Sequence, residues 1–268
     1  MLIPLNVTLC HFIFYNHHST RGRIVSKHKF PEDSVNVILE VMGTGVKDTE
    51  SSRRIHIIRH GEALHNVTRN TADRDPPLTS EGHGTTQRAS LPIQPDILLI
   101  SPMTRTLQTA LNMFPSLHEA DTCQMPVQIW PELREAHDAE CNKGRSRSEL
   151  SQMFPQFDFS SCSEEWNYPL NTVEAATARA ENVRSRLKEL SATYSNIGII
   201  THRGFIAYLV KGRRFNTCET RTYRFATEEE IHDPAIRRGI NCDTLSDQDF
   251  GPTVLILEKN PQQDIIIS

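Results

Sequence analysis

The chain has 268 residues, a formal net charge of −4 and 37% hydrophobic residues, the composition of an ordinary soluble protein. The negative charge argues against nucleic acid as a main partner, because surfaces that bind nucleic acid are basic. No segment approaches the roughly 20 apolar residues that a membrane-spanning helix needs. The length fits one large α/β domain or two small ones.

Residues 1–52 show no sustained periodicity apart from a candidate strand at 35–41, and they end in a polar run at 47–52. This pattern is typical of an N-terminal extension, and we expect part of it to be disordered. From residue 53 to residue 268 strand and helix signals alternate, as they do in βαβ units. The sequence therefore predicts one folded domain behind an extension whose role it does not indicate.

The first half of this domain alternates short apolar runs with helical patterns. A run ending at Arg59-His60-Gly61 predicts a strand, and a continuous apolar run ending at Ser101-Pro102 predicts a strand buried on both faces. Thr79 followed by Glu81 predicts the start of a helix. The predicted elements are a strand at 54–58, a helix from 79 to about 90, a strand at 96–100, a helix at 104–114 and a strand at 127–130.

The second half begins with irregular chain. Aromatic residues at 155–170 stand among Ser, Asp and Pro and predict a lid or wall rather than a regular element. Asn171, with Glu174 three residues later, predicts the cap of a long helix. A strand follows at 197–201 and ends at His202-Arg203-Gly204, then a helix at 205–210 and two edge-type strands at 221–225 and 253–258.

Three elements of this pattern bring titratable or cationic side chains to one edge of the predicted sheet. Arg59-His60 and His202 follow parallel strands, and Arg105 lies in the first turn of the helix after another. Ligands of open α/β sheets bind beyond the carboxyl ends of the strands. Two arginines suit the oxygens of a phosphoryl group, and imidazoles can supply a nucleophile and a donor. This arrangement requires no metal.

The motifs around these residues resemble those of the histidine phosphatase superfamily, specifically its small phosphatase branch. The matches are Arg59-His60-Gly61-Glu62 with Asn66, Pro77-Leu78-Thr79 with Gly82, Ser101 to Ala110, and Thr201-His202-Arg203-Gly204, all within residues 54–225. The resemblance implies the phosphoglycerate-mutase-like fold, an α/β fold of three layers, α/β/α, with a mostly parallel central sheet. It makes 53–268 the catalytic domain and implies no cofactor.

By this resemblance His60 would attack phosphorus and carry a phosphohistidine, while Arg59, Arg105 and His202 hold the other oxygens. The attacking nitrogen of His60 must be neutral, so we expect its other nitrogen to donate to a backbone carbonyl. Asn66 and Thr79 would add donors for the substrate. Thr79 has a plainer alternative as a helix cap.

The leaving oxygen needs a proton, so a carboxylic acid must lie beside the cationic pocket. Family members of the small phosphatase type have Leu-x-Glu followed by Cys-Asp-x-Gly, and here Leu133-Arg134-Glu135 precedes Cys141-Asn142-Lys143-Gly144. The resemblance therefore implies Glu135 as the acid, with Glu132 as its rival. Asn142 stands where the family has Asp, which puts the local geometry or the fit of the substrate in question.

The leading functional hypothesis is a metal-independent phosphatase that hydrolyses a small phosphorylated metabolite. A phosphoglycerate mutase is the alternative within the fold, but residues 132–137 do not reproduce the Glu-Arg-His-Tyr-Gly segment of mutases. A scaffold without turnover is the alternative from another class, because a fold does not fix a function. Neither the physiological substrate nor the oligomeric state follows from the sequence.

A cytoplasmic location is expected from two features. A glycan on the sequon Asn66-Val67-Thr68 would obstruct a site at His60, and six scattered cysteines without a C-x-x-C pair favour free thiols. Residues 1–15 lack a positive n-region and contain polar interruptions. A weak signal peptide there stays open as the alternative.

Overall fold

The computed structural model of the protein describes residues 53–118, 125–166 and 172–258. The predicted N-terminal extension and its candidate strand lie outside these residues. Within the described ranges the strands are β1 (Arg54–Arg59), β2 (Ile97–Ile100), β3 (Val127–Ile129), β4 (Asn196–Thr201), β5 (Thr220–Phe225), β6 (Arg238–Ile240), β7 (Asp247–Asp249) and β8 (Leu255–Leu257).

The helices surround the central sheet and differ widely in length. They are α1 (Leu64–Thr68), α2 (Ser80–Arg88), α3 (Thr104–Met113), α4 (Arg147–Met153), α5 (Val173–Leu190), α6 (Arg203–Leu209) and α7 (Pro234–Arg237). Short 3₁₀ helices lie at Pro115–His118, Pro131–Leu133, Glu140–Asn142 and Glu230–His232.

Six strands form the central sheet in the order β3-β2-β4-β1-β5-β8. The four strands from β3 to β1 are parallel, whereas β5 is antiparallel to β1 and β8 is antiparallel to β5. In the register of β1 and β4, Arg59 lies opposite Thr201. His60 and His202 therefore leave the sheet side by side at its carboxyl edge, as the sequence predicts.

Alternating side chains of the strands enter two separate clusters, one on each face. Ile57 and Leu99 pack with residues of α5 and α6, whereas Ile58 and Leu98 pack with residues of α3. This period of two is the geometry of a strand buried on both sides. The result is a mixed α/β fold of three layers with a mainly parallel sheet, and this confirms the predicted fold class.

Several predicted elements need correction. The cap of α5 is Thr172, whose hydroxyl accepts from the Ala175 amide at 3.1 Å, and not Asn171, which lies outside the described residues. Both residue types can cap, so local sequence does not choose between neighbouring positions. β5 is not an edge strand, since it pairs with β1 and β8. The sequence did not predict α4, α7 or the β6–β7 hairpin.

Residues 155–166, the described part of the predicted aromatic segment, form a wall, and 167–170 lie outside the described residues. Phe157, Phe159 and Trp166 are buried in the same cluster as α3, with exposures of 7%, 3% and 3%. Burial at this level distinguishes a wall from an open lid. In the part of the chain that the structure describes, no helix has the length and apolar character needed to cross a membrane.

Candidate active site

The His60 ring is held in its neutral form. Its Nδ1 lies 2.7 Å from the Gly61 carbonyl oxygen, which can only accept, so Nδ1 carries the hydrogen and Nε2 keeps its lone pair. Burial, followed by the nearby charges of Arg105 and Arg59, lowers the pKa of His60 well below its ordinary value. The expected donation to a backbone carbonyl is confirmed, and the ring is nucleophilic without a separate base.

The Arg59 side chain is held by a backbone carbonyl in the loop between α6 and β5. Its Nη1 donates to the Phe215 carbonyl oxygen at 2.8 Å, while its buried Nε has no hydrogen-bond partner among the described residues. Burial, and then the charge of Arg203, lowers the pKa of Arg59 to about 10, although Glu135 acts in the opposite direction. The guanidinium remains charged at neutral pH and keeps a donor for a ligand.

Arg105 is fully buried and is fixed by the loop after β3. Its Nη1 donates to the Cys141 carbonyl oxygen and its Nη2 to Asn142 Oδ1, both at 3.0 Å. The Asn142 amide is oriented in turn by donation of Nδ2 to the His137 carbonyl oxygen at 3.0 Å. Asn142, standing where the family has Asp, therefore fixes Arg105 without neutralising its charge.

The helix that carries Arg105 is capped by a buried carboxylate. Asp75 accepts from the Thr104 amide at 3.0 Å and from the Thr104 hydroxyl at 2.6 Å. Burial raises the pKa of Asp75, and its hydrogen bonds and Arg105 act in the opposite direction. The cap fixes the first turn of α3, in which Arg105 lies.

His202 lies against His60, with ring centroids 5.2 Å apart. Its Nε2 is 2.8 Å from the Ser101 hydroxyl, and its buried Nδ1 has no hydrogen-bond partner in the described ranges. Burial, and then the charge of Arg105, lowers the pKa of His202 well below its ordinary value. If Ser101 donates to Nε2, the neutral ring presents an N–H at Nδ1.

Glu135 and its rival Glu132 point to different places. Glu135 accepts from the Phe205 amide at 2.8 Å and the Gly204 amide at 3.2 Å, so it sits at the start of the helix that follows His202. Glu132 instead pairs with Arg186 of α5 at 3.3 Å. Of these two glutamates, only Glu135 has its carboxylate beside Gly204 and Phe205, which follow His202 in the chain.

The side chains of Asn66 and Thr79 both make hydrogen bonds within the protein. Asn66 Oδ1 accepts from the Ala63 amide and its Nδ2 donates to His65 Nε2, both at 3.0 Å. The Thr79 hydroxyl accepts from the Gly82 amide at 2.9 Å, which is the cap geometry named as its plainer alternative. A role for either residue in binding the substrate stays a prediction.

Sequence reasoning missed three residues of the site. They are Asp75, Ser101 and His65, whose ring centroid is 6.0 Å from that of His60. Burial, together with Arg105, Arg59 and Arg203, lowers the pKa of His65 to about 3. Ser101 lies inside a matched motif and His65 lies beside one, and this position could have identified both as site residues. Nothing near Asp75 in the sequence indicates its contact with Thr104.

Comparison with curated proteins gives one relative of this chain. A Schizosaccharomyces pombe protein named as a probable phosphatase is 31% identical over 128 residues, which cover 44% of this chain and 56% of that relative. The match thus spans a little over half of the relative's length.

Solved structures with a similar fold include two phosphatases. The alpha-ribazole phosphatase of Shigella flexneri is 24% identical, with a TM-score of 0.45, and the match covers 65% of this chain and 91% of that one. The ecdysone phosphate phosphatase of Bombix mori is 15% identical, with a TM-score of 0.48 over 64% of this chain and 89% of that one.

The family model agrees with the motifs that meet at the sheet edge. The model described as "Histidine phosphatase superfamily (branch 1)" matches residues 55–221, more than half of the 268-residue chain. This range contains His60 and His202, Arg59 and Arg105, and the loop that carries Glu135. The chain belongs to the histidine phosphatase superfamily.

Proposed function

We propose that the protein is a phosphatase that hydrolyses a small phosphomonoester through a phosphohistidine on His60, without a metal ion. The observation that carries the proposal is the state of His60, which is buried, neutral and protonated on the nitrogen that faces the Gly61 carbonyl. A histidine arranged in this way needs no further activation to attack phosphorus.

In the first half of the reaction, His60 Nε2 forms a bond to phosphorus as the bond from phosphorus to the leaving oxygen breaks. Arg59 and Arg105 hold the phosphoryl oxygens, and the N–H of His202 donates to a third. Glu135 is the proton donor to the leaving oxygen. Its charge acts on both Arg59 and Arg105, which supports this assignment.

In the second half, water replaces the leaving group. Glu135 accepts a proton from the water while the water oxygen forms a bond to phosphorus and the bond between phosphorus and His60 Nε2 breaks. Inorganic phosphate leaves and His60 returns to its starting state. The two positive charges of Arg59 and Arg105 suit a phosphoryl dianion, which supports a phosphorylated small molecule as the substrate.

The test is hydrolysis of para-nitrophenyl phosphate in the presence of a chelator, comparing the wild type with His60→Ala. His118→Ala is the matched control, because His118 is exposed at the end of a 3₁₀ helix. We expect turnover by the wild type and the control and none by His60→Ala. Acid-labile, base-stable phosphate on the quenched wild-type protein would identify the phosphohistidine.

Three outcomes contradict parts of this proposal. Turnover by His60→Ala at the wild-type rate would exclude His60 as the nucleophile. Turnover that the chelator abolishes and added metal restores would contradict metal independence. Transfer of the phosphoryl group to an added sugar acid, in place of release as inorganic phosphate, would indicate a mutase.

A further inference from the structure

Two arginines and one histidine surround one buried carboxylate beside the phosphoryl site. Asp243, between β6 and β7, has a side chain only 4% exposed and accepts a hydrogen bond from His137 Nε2. Its Oδ1 lies 3.2 Å from Arg214 Nη2 and 3.9 Å from Arg203 Nε. We call Asp243, His137, Arg203 and Arg214 the Asp243 cluster.

The two arginines and the histidine of the Asp243 cluster each lie within two positions, along the sequence, of a residue that forms or positions the phosphoryl site. Arg203 directly follows His202. Arg214 precedes the residue whose carbonyl holds Arg59, and His137 stands two positions after Glu135. The ring of His137 also lies within 2.8 Å of the position that a Cβ on residue 204 would take. The cluster therefore adjoins the proposed acid.

The Asp243 cluster carries more positive than negative charge. Its one carboxylate faces two arginines, and the hydrogen bond to Asp243 raises the pKa of His137. The positive charge also extends into the phosphoryl site, because Arg203 is among the groups that lower the pKa of Arg59 and of His65, after burial in both cases. An anion at this position would face two arginines that share the single carboxylate of the cluster.

The two arginines of the Asp243 cluster differ in the hydrogen bonds that they make within the protein. Arg214 Nε donates to the Cys242 carbonyl oxygen at 2.9 Å and its Nη2 to the Asp243 carbonyl oxygen at 3.3 Å, so it anchors the loop between β6 and β7. Arg203 is 44% exposed and, within the described residues, makes an ion pair at 3.9 Å but no hydrogen bond. Its donors are available to a ligand, and Asp243 orients them.

We propose that Arg203, with the exposed edge of His137, forms a subsite for a second anionic group on the leaving-group side of the substrate. This inference rests on the proposed function, because the leaving group is defined by the proton that Glu135 supplies to it. The leaving group must meet Glu135, and both Glu135 and His137 lie against Gly204, which directly follows Arg203. The substrate class is then a phosphomonoester that bears a carboxylate or a second phosphate.

Three phosphates that differ only at one end test the subsite. Ethyl phosphate ends in a methyl group, phosphoglycolate in a carboxylate, and ethylene glycol bisphosphate in a second phosphate. We expect kcat/KM of the wild type to be about tenfold higher for at least one of the two doubly anionic substrates than for ethyl phosphate, as one charge-assisted contact allows. The preferred substrate tells which anion the subsite takes.

The variants separate Arg203 from general effects of charge. Arg203→Gln should raise KM for the preferred substrate about tenfold more than KM for ethyl phosphate, and Arg203→Lys should restore part of the difference. The control is Arg213→Gln, because Arg213 is 68% exposed, pairs with Glu219 and lies outside the Asp243 cluster. The control should keep the wild-type preference.

Equal values of kcat/KM for the three phosphates in the wild type would overturn the subsite, as would an equal rise of KM for all of them in Arg203→Gln. Failure of the proposed function is distinguishable. If the wild type hydrolyses none of the phosphates, calorimetric binding to the His60→Ala protein with and without Arg203→Gln still decides the matter. A preference for the doubly anionic ligand that depends on Arg203 would support the subsite, and its absence would reject it.

Discussion

At the scale of single residues, the site depends on side chains whose state is set by burial. His60 and His202 are 2% and 0% exposed and have pKa values well below the ordinary range. Burial disfavours the charged imidazolium, and the charge of Arg105 on both rings and that of Arg59 on His60 act in the same direction. The positive charge that we propose holds a phosphoryl group thus also favours the neutral form of His60.

The lowered pKa of His60 predicts the acid side of the pH–rate profile. Attack requires the neutral ring, and a pKa lowered below 6.5 extends that form to lower pH. For para-nitrophenyl phosphate, whose leaving group needs little help from an acid, kcat/KM should not fall between pH 7 and pH 5 after correction for ionisation of the substrate. A fall to half near pH 6.5 would show an ordinary histidine and contradict the predicted state.

Gly204 predicts a second effect at this scale. A Cβ at this position would collide with Glu135 Oε1 and approach the His137 ring to 2.8 Å. Gly204→Ala should therefore displace the proposed acid and lower kcat about 100-fold for an alkyl phosphate, within the range of general acid catalysis. The loss should be much smaller for para-nitrophenyl phosphate.

A helix glycine in a more open position supplies the control for that substitution. The nearest atom to a Cβ on Gly84 belongs to the flexible side chain of Arg88, at 3.1 Å. Gly84→Ala should leave kcat for the alkyl phosphate and for para-nitrophenyl phosphate unchanged. An equal loss for the alkyl and aryl phosphates in Gly204→Ala would mean that the substitution damages the pocket in general and not the acid.

At the scale of elements, contacts between loops and helix ends place the catalytic side chains. Asp75 caps α3 from the loop before α2, Glu135 holds the start of α6, and Arg184 of α5 donates to the Tyr208 and Leu209 carbonyl oxygens at the end of α6. Helix ends carry unpaired amides and carbonyls that need such partners. The elements of the site are therefore tied to one another at their ends.

Asp75→Ala should lower the free energy of unfolding by about 2 kcal/mol, because it leaves the Thr104 amide and hydroxyl without their buried acceptor. Activity should fall as well, since Arg105 lies in the same turn. The control is Asp73→Ala in the same loop, where an exposed carboxylate accepts from Asn70. That control should stay within about 0.5 kcal/mol of the wild type in urea denaturation. Comparable losses for the two variants would contradict the assigned cap.

At the scale of the whole molecule, buried histidines couple stability to pH. The folded pKa values of His60 and His202 lie well below the 6.5 expected of the unfolded chain, so the unfolded state binds protons first as the pH falls. Stability from these groups is present above pH 6.5 and is lost below it, by about 1.4 kcal/mol per pH unit for each. His137 acts in the opposite sense, because its pKa is raised by Asp243.

Urea denaturation at pH 7 and pH 5 checks this coupling. The free energy of unfolding should be lower at pH 5, and the loss should be about 2 kcal/mol smaller in His60→Ala, which lacks one of the buried rings. His118→Ala, which removes an exposed ring, should show the full loss of the wild type. The same free energy at both pH values in the wild type would be inconsistent with neutral buried histidines.

Local sequence by itself determined the four parallel strands and which family the motifs indicate. The apolar runs of β1, β2 and β4 involve only a few neighbouring residues, and the parallel pairing of these strands brings Arg59, His60 and His202 to one edge of the sheet. These residues and the nearby Arg105 were predictable for that reason.

Only the tertiary structure decided which groups position them. Glu135 meets the Phe205 amide 70 positions away, Asp75 meets Thr104 across 29 positions, and His137 meets Asp243 across 106. Hydrogen bonds of this kind leave no periodic trace in the sequence, because each depends on how two distant segments pack. The proposed nucleophile was predictable from its neighbours along the chain, whereas the contacts of the proposed acid, the groups that position both residues and the Asp243 cluster exist only in the folded protein.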